Sequence, residues 1–402
     1  MAKSTIPTLR FKEFDDEWKI KQLGDISQLL NGRAYKQEEL LDNGKYRVLR
    51  VGNFNTNEQW YYSNLELEEN KYADNGDLLY LWATNFGPEI WNGEKIIYHY
   101  HIWKVLIDEA IIDKRFFYTL LEQDKERIKL NTNGSTMVHV TKSMMEERIL
   151  AVSSLPEQQS IGSLFQTLDE LLSAYKDNLA NYQAFKATML SKMFPKAGQT
   201  SPEIRLDGFD GEWEEKKLKD ISDSIEYGLN ASAKEFDGEN KYLRITDIDD
   251  ESRKFIKKSM TSPDIDVANL DNYLLEPNDV LFARTGASVG KSYIYKESDG
   301  KVYFAGFLIR IRISKEFDAN FVFQNTLTRK YKNFIEITSQ RSGQPGVNGK
   351  EYGDFKIFFP SLEEQQAIGA FFSNLDELIS NYQDKITQLE TLKKKLLQDM
   401  FI

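Results

Sequence analysis

The chain has 402 residues, of which 41% are apolar, so it can bury at least one sizeable core and favours two or more domains. It contains no cysteine, which excludes disulfides, thiolate nucleophiles and cysteine-based zinc fingers. Its formal charge of -11, taken alone, argues against nucleic acid as the main partner, because polyanions repel acidic proteins. It has no apolar run of about 18 residues and no apolar signal segment at its start, so we expect a soluble, cytoplasmic protein.

The opening segment of the chain returns later, shifted by 195 residues: Pro7–Trp18 and Pro202–Trp213 share the pattern R-x-x-x-F-x-x-x-W. A second pair, residues 157–194 and 364–401, aligns without a gap at a shift of 207, and 17 of its 38 positions are identical. The interiors between these segments agree poorly. A tandem duplication alone explains the repeat, but it does not explain why the interiors differ most.

Four segments follow from this repeat. They are a mixed domain over 1–153, a helix over 154–195, a second mixed domain over 196–360 and a second helix over 361–402. Alternating apolar residues predict one strand over Lys95–Val105 and another over Lys301–Ile313. Further helices are expected near 113–129 and 318–336.

Within each long helical segment, apolar residues recur with alternating spacings of four and three, from Ile161 to Met193 and from Ile368 to Met400. This 3.5-residue period predicts a left-handed coiled-coil seam. Antiparallel packing of the two stripes on each other satisfies both, and the alternative is that each stripe meets a helix of another protein. Lys186 and one equivalent lysine, Lys393, occupy seam positions, where they either fix the register or keep their charged heads in water.

Both helices open on a predicted capping box, in which a serine accepts from an early backbone N–H and a glutamate reaches back to the cap. The pairs are Ser154 with Glu157 and Ser361 with Glu364. The apolar face is wider than a two-stranded seam needs, so we also expect it to bind a partner. Its additional residues are Leu164, Leu171, Phe185, Phe371, Leu378 and Leu392. Since Phe401 corresponds to Phe194, where the second repeat begins, we expect the C-terminus to lie near the N-terminus.

Catalytic motifs are not found. Gly286–Ser292 resembles a phosphate-binding loop, but it has three residues between its glycines instead of four, and a strand rather than a helix is predicted to follow. His99 and His101 would share one face of a strand, but no carboxylate lies at ligand spacing, so ordinary strand histidines are favoured over a metal site. No nucleophile elbow and no dinucleotide fingerprint occur. We therefore predict no catalytic residue, no metal and no cofactor for this chain.

The remaining candidates are loops rich in side chains that can bond to bases or phosphates, since Arg reads guanine, Asn and Gln read adenine, and Ser or Thr contacts either. The alternative is ordinary polar loops, which occur in every soluble protein. In the first domain the candidates are Arg33, Arg50, Asn53, Thr84, Asn85, Ser135, Thr136 and His139. In the second domain they are Arg244, Asp247, Arg284, Thr285, Ser288, Lys291, Arg341, Ser342, Gln344 and Asn348.

Essentially the whole chain resembles the specificity subunit of type I restriction–modification systems. The resemblance is carried by the twice-used opening pattern, by the helix openings Leu155–Gln159 and Leu362–Gln366, and by the phrases Gly76–Leu79 and Asp279–Gly286. It implies two target recognition domains, each of which reads one half of a split DNA site. It also implies two long helices that hold these domains apart and dock two modification (methyltransferase) subunits.

The fold class expected is α+β, with two mixed α/β target recognition domains joined by two long antiparallel coiled-coil helices in a pseudo-two-fold internal repeat. The resemblance implies that restriction subunits can join, and that S-adenosylmethionine, ATP and Mg²⁺ belong to the partner subunits. Similar helices predict equal sockets for two copies of one partner, whereas dissimilar interiors predict an asymmetric, bipartite site. The net charge then predicts weak DNA binding by the lone chain and strong binding only with modification subunits.

Two other classes of protein stay open at this point. A coiled-coil adaptor that binds only protein predicts no DNA affinity. A hydrolase that acts on anionic polymers needs two carboxylates paired in a cleft, and nothing in the sequence singles out two of them.

Overall fold

The structure is a computed structural model of the chain, and it describes residues 6–54, 57–83, 86–131, 140–196, 198–340 and 343–402. The chain forms two compact units. The first unit combines Met1–Tyr175 with Lys385–Ile402, and the second unit is Lys176–Asp384. The four segment boundaries inferred from the repeat remain a prediction.

The first unit is built mainly of short strands. Its strands are β1 (Lys19–Gln22), β2 (Ser27–Asn31), β3 (Tyr46–Leu49), β4 (Tyr61–Ser63), β5 (Tyr72–Ala73), β6 (Leu78–Leu81), β7 (Gly87–Ile90), β8 (Ile96–Tyr98), β9 (Ile102–Ile107) and β10 (Ile149–Val152). Its helices are α1 (Leu23–Ile26), α2 (Lys114–Asn131), α3 (Lys142–Glu146) and the start of the long helix α4 (Leu155–Lys192). One sheet has the strand order β2-β9-β6-β7 and another β4-β3-β8-β5, while β1 pairs with β10.

The second unit repeats this plan in part, with one four-stranded sheet where the first unit has two. Its strands are β11 (Glu214–Lys217), β12 (Ser222–Tyr227), β13 (Ala233–Glu235), β14 (Lys241–Leu243), β15 (Thr261–Pro263), β16 (Asp279–Ala283), β17 (Ser292–Ile294), β18 (Val302–Phe304), β19 (Leu308–Ile313) and β20 (Lys356–Phe359). Its helices are α5 (Ala319–Asn325), α6 (Arg329–Thr338), α7 (Gly349–Gly353) and much of the long helix α8 (Leu362–Asp399). The main sheet has the order β12-β19-β16-β17, and β11 pairs with β20 as β1 pairs with β10.

Three predicted elements are each divided in two. The strand predicted over Lys95–Val105 is β8 and β9 with a turn between them, because β8 pairs with β3 whereas β9 pairs with β2 and β6. The strand predicted over Lys301–Ile313 is likewise β18 and β19, which join different sheets. The helix predicted over 318–336 breaks into α5 and α6, because the Thr328 hydroxyl accepts from the Tyr331 N–H and caps a new helix.

An aromatic cluster joins the opening pattern of each repeat to the long helices. In the first unit, Trp18 packs edge-on against Phe116 and Phe401, and Phe165 of α4 lies 5.9 Å from Phe401. The predicted proximity of the termini is confirmed, since the Leu9 N–H donates to the Asp399 carbonyl over 2.8 Å.

The second unit has the corresponding cluster. Trp213 packs edge-on against Phe321, and Phe194 lies 5.5 Å from Phe321 and 5.8 Å from Phe372 of α8. Burial of each such ring stabilises the fold by about 1.5–3 kcal/mol. The repeated opening pattern is therefore a packing motif, which attaches each domain to the long helices.

Candidate nucleic-acid interface

Each unit contains an arginine–glutamate clamp. The Arg10 guanidinium donates to both carboxylate oxygens of Glu157 over 2.6 and 2.8 Å, and Arg205 donates to both oxygens of Glu364 over 2.7 and 2.6 Å. Hydrogen bonding to its glutamate raises the pKa of each arginine above its usual value. Both glutamates are almost fully buried, so these bidentate pairs fix the opening segment on the helix.

The predicted capping boxes are correct only in part, because their glutamates bind arginines. The Ser361 hydroxyl accepts from the Glu364 N–H over 3.3 Å, as predicted. The carboxylates of Glu157 and Glu364, however, pair with the arginines rather than with the caps. The next residue is also structural, because the Gln158 amide oxygen accepts from the Asp113 N–H over 2.9 Å and its nitrogen donates to the Ser153 carbonyl.

The seam lysines form ion pairs between the helices. Lys186 of α4 pairs with Asp376 of α8 over 2.5 Å, and Lys393 of α8 pairs with Asp169 of α4 over 2.6 Å. Burial lowers the pKa of Lys393, but Glu122 and Asp169 outweigh it, and the pKa is raised. The four residues keep the 207-residue shift of the repeat, so both pairs select the same antiparallel register.

The additional apolar residues of the helices differ in exposure. Leu171, Phe185 and Leu392 are 40%, 45% and 45% exposed. Leu164, Phe371 and Leu378 are half-buried, and Phe371 packs edge-on against Phe185. The exposed members can be covered by a partner, and that role stays a prediction.

Before β6, and again before β16, the chain makes a tight turn that leads into the strand. Gly76 and Asn278 have φ of +85° and +74°, a conformation that glycine and asparagine tolerate best. The aspartate that follows each of them anchors the sheet: Asp77 binds Lys104 over 2.6 Å, and Asp279 binds Arg312 over 2.8 Å. Burial raises the pKa of Asp279 despite its bonds to Arg312.

In the second unit, the structure brings two predicted DNA-binding loops together. Thr285 pairs with Gly346 in an isolated β-bridge, and the Val347 N–H donates to the Arg284 carbonyl over 2.9 Å. The amide of Gln344 lies so near Gly286 that a Cβ there would be 2.9 Å from it. Arg284, Thr285, Ser288 and Gln344 therefore belong to one surface, on which Gln344 is exposed and the other three are half-buried.

Other predicted residues of the second unit shape loops. Arg244 binds Asp247 through two bonds of 2.8 Å, and Asp247 is only 8% exposed. Lys291, also 8% exposed, binds Asp250 and the Ile248 carbonyl. Asn348 is exposed, but its side chain caps α7. Their contact with DNA stays a prediction, and these bonds already give each a structural role.

The predicted residues of the first unit have similar intrachain partners. Arg33 binds Glu39 over 2.7 Å, and its guanidinium lies 5.3 Å from the Tyr35 ring. Arg50 stacks 4.2 Å from the Tyr61 ring, while the Asn53 amide donates to the carbonyls of Asn57 and Gln59. The other candidates, Thr84, Asn85, Ser135, Thr136, His139, Arg341 and Ser342, lie outside the described residues.

The placement of the histidines on a strand face was wrong. His99 and His101 lie in the turn between β8 and β9, with their ring centroids 4.9 Å apart. Burial, with smaller effects of His101 and Arg50, lowers the pKa of His99 to about 4. Among the described residues, no group of three or more His, Asp or Glu side chains could hold a metal ion. The loop at Gly286 is followed by strand β17, as predicted.

The fold thus defines a protein with two mixed α/β units, each attached to the long helices by an equivalent arginine–glutamate clamp. A sequence model of the type I restriction modification DNA specificity domain matches residues 15–181 and 210–391. The chain therefore belongs to this family. The predicted family and its role in DNA specificity are thereby confirmed.

Individual relatives cover nearly the whole chain. It is 23% identical over 392 residues to the type I restriction enzyme MjaVIII specificity subunit of Methanocaldococcus jannaschii, covering 95% of this chain and 91% of that protein. It is 22% identical over 414 residues to the EcoBI specificity subunit of Escherichia coli, covering 96% and 86%. Its fold is similar to that of the S subunit of a type I restriction–modification system from M. genitalium, with a TM-score of 0.68, 16% identity and 99% of both chains covered. The predicted fold class is confirmed.

In the described part of the chain, no helix is both long and apolar enough to span a bilayer.

Proposed function

We propose that this chain is the DNA-recognition subunit of a type I restriction–modification complex in the cytoplasm. Each target recognition domain reads one half of an asymmetric, bipartite site, and the long helices dock two methyltransferase subunits. One observation supports this division: the Arg10–Glu157 and Arg205–Glu364 clamps are equivalent, whereas the sequences of the domain interiors differ.

The chain itself performs no chemistry in this proposal. S-adenosylmethionine binds to the modification subunits, and ATP and Mg²⁺ serve restriction subunits where these join. The equal clamps and the equal seam pairs, Lys186–Asp376 and Lys393–Asp169, support equal docking of two copies of one partner. The exposed apolar residues Leu171, Phe185 and Leu392 are the first candidates for that contact.

Methylome sequencing of cells with and without this gene tests the proposal. We expect loss of one bipartite methylated-adenine motif on deletion, and its return when the gene is supplied on a plasmid. An unchanged methylome would oppose the proposal.

DNA binding by purified components provides a second readout. We expect weak binding by the lone chain, because its net charge is -11, and strong, site-specific binding once methyltransferase subunits are added. A protein-only adaptor would show no DNA affinity in either state.

A further inference from the structure

An exposed aromatic side chain projects from the turn that joins β18 to β19. This turn consists of Ala305, Gly306 and Phe307, and Phe307 is 60% exposed. The Arg284 N–H donates to the Phe307 carbonyl over 3.0 Å, and the Arg284 guanidinium lies 4.9 Å from the ring of Tyr227, which is itself 45% exposed. Phe307 therefore belongs to the same surface as the Arg284 loop.

The first unit has the equivalent turn with different side chains. His99, Tyr100 and His101 join β8 to β9, and Tyr100 is 39% exposed. Trp82 takes the place of Arg284, since its N–H donates to the His101 carbonyl over 3.2 Å. Its indole N–H donates to the Tyr100 carbonyl over 2.7 Å, just as Arg284 approaches the Gly306 carbonyl.

A glycine fixes each turn against the neighbouring strand. A Cβ on Gly32 would lie 2.3 Å from the His99 carbonyl oxygen, and a Cβ on Gly228 would lie 2.1 Å from that of Ala305. Both units thus hold the same turn by equivalent backbone contacts. Phe307 is the third residue of its turn, whereas Tyr100 is the second residue of its own, and its ring lies 3.9 Å from that of His101 while 39% of the residue stays exposed. Exposed aromatic rings are unfavourable in water, and they are common where a protein contacts a ligand.

We propose that Phe307 and Tyr100 are specificity-determining residues that pack on bases of the two half-sites. The inference rests on the proposed function and deepens it. Aromatic rings contact bases through thymine methyl groups, or by stacking where a step is opened. A neighbouring arginine such as Arg284 adds a positive charge that favours the DNA surface.

The test uses the full chain assembled with the methyltransferase subunits of its own system. Wild type, Phe307→Ala and Tyr100→Ala are each used to select duplexes from a pool randomised across the target site. We expect Phe307→Ala to weaken binding about tenfold and to relax base preference only in the half-site of the second unit. Tyr100→Ala is expected to do the same only in the other half-site, so each variant controls for the other.

Ile337→Ala is the matched control, because Ile337 is 74% exposed in the same unit as Phe307 but lies on α6. The thermal unfolding temperature of each variant is measured, and a value equal to that of wild type shows that the variant is folded. Unchanged selection by both turn variants would overturn the inference, and so would uniformly weaker binding with unchanged base preference. If wild type itself selects no bipartite site, the proposed function fails; if wild type selects one and the turn variants match Ile337→Ala, only this inference fails.

Discussion

The two units have the same residues in their clamps but different residues in their turns. Arg10–Glu157 and Arg205–Glu364 keep the same residues, the same two-bond geometry and the same burial. The turns 99–101 and 305–307 keep the same backbone contacts but share no side chain. Buried ion pairs tolerate little change because removal of one partner leaves an unpaired charge, whereas exposed turn residues change at little cost to the fold. A protein built in this way can change the residues of its turns while the clamps still attach each domain to the long helices.

Shortening the two long helices, α4 and α8, should change the target site itself. Removal of one matched heptad from each long helix, with both clamps and both seam ion pairs kept, preserves the seam and shortens each helix by about 10 Å. We expect the complex to methylate a site with the same half-sites and a shorter preferred spacer. Methylome sequencing measures this, and an unchanged spacer would show that the helices do not set the spacing.

Loss of one clamp should destabilise the fold. Glu157→Ala leaves the Arg10 guanidinium without its buried partner, so we expect the free energy of unfolding of the first unit to fall by about 3 kcal/mol. Glu364→Ala should cost a similar amount in the second unit, and the exposed helix substitution Glu170→Ala should cost little. Urea unfolding measures all three. Unequal costs for the two clamps, differing by more than about 2 kcal/mol, would contradict their equivalence.

A smaller effect is expected where α4 approaches α2. A Cβ on Gly162 would lie 2.7 Å from the Phe116 nitrogen, and a Cβ on its equivalent Gly369 would lie 2.3 Å from an Asp318 carboxylate oxygen. Alanine gains about 1 kcal/mol in helix propensity, but the overlap should outweigh it and give a net loss of about 1–2 kcal/mol. Thermal unfolding of Gly162→Ala measures this against Ser173→Ala, an exposed position on the same helix. A stabilised Gly162→Ala would show that the approach is not tight.

The smallest effect is expected on the pH dependence of stability, from His99 in the turn between β8 and β9. The pKa of His99 is lowered to about 4 in the folded protein, below its usual value near 6.5, so the unfolded chain binds the proton first as the pH falls. Stability from this residue is therefore present above about pH 6.5 and declines between there and about pH 4. We expect the stability loss from pH 7 to pH 5 to be about 1 kcal/mol smaller in His99→Gln than in wild type, since partial exposure screens the effect. Equal losses in urea titrations would refute this.

The long helices and their attachments could largely be predicted, because they depend on local sequence patterns. The heptad spacing identified both long helices, and the repeat of Trp18 as Trp213 identified equivalent attachments. The pairing of Glu157 with Arg10 could not be predicted, because the two residues are 147 positions apart and the local capping pattern offered the glutamate a nearer partner. The proposed DNA-contacting surface could be predicted only in part: the Arg284 loop was a candidate from the sequence, but Tyr100 and Phe307 were included in continuous strands.

The duplicated architecture, the coiled-coil seam and the family follow from the sequence, because they depend on periodicity and on residues that recur at fixed shifts. Only the fold shows which polar residues bond internally, such as Lys291 and Asp247, and which aromatic residues are exposed. A hydrogen bond or an exposed turn depends on which strands pair. In this fold, β8 and β9 pair with different neighbours, and that choice creates the turn that carries Tyr100.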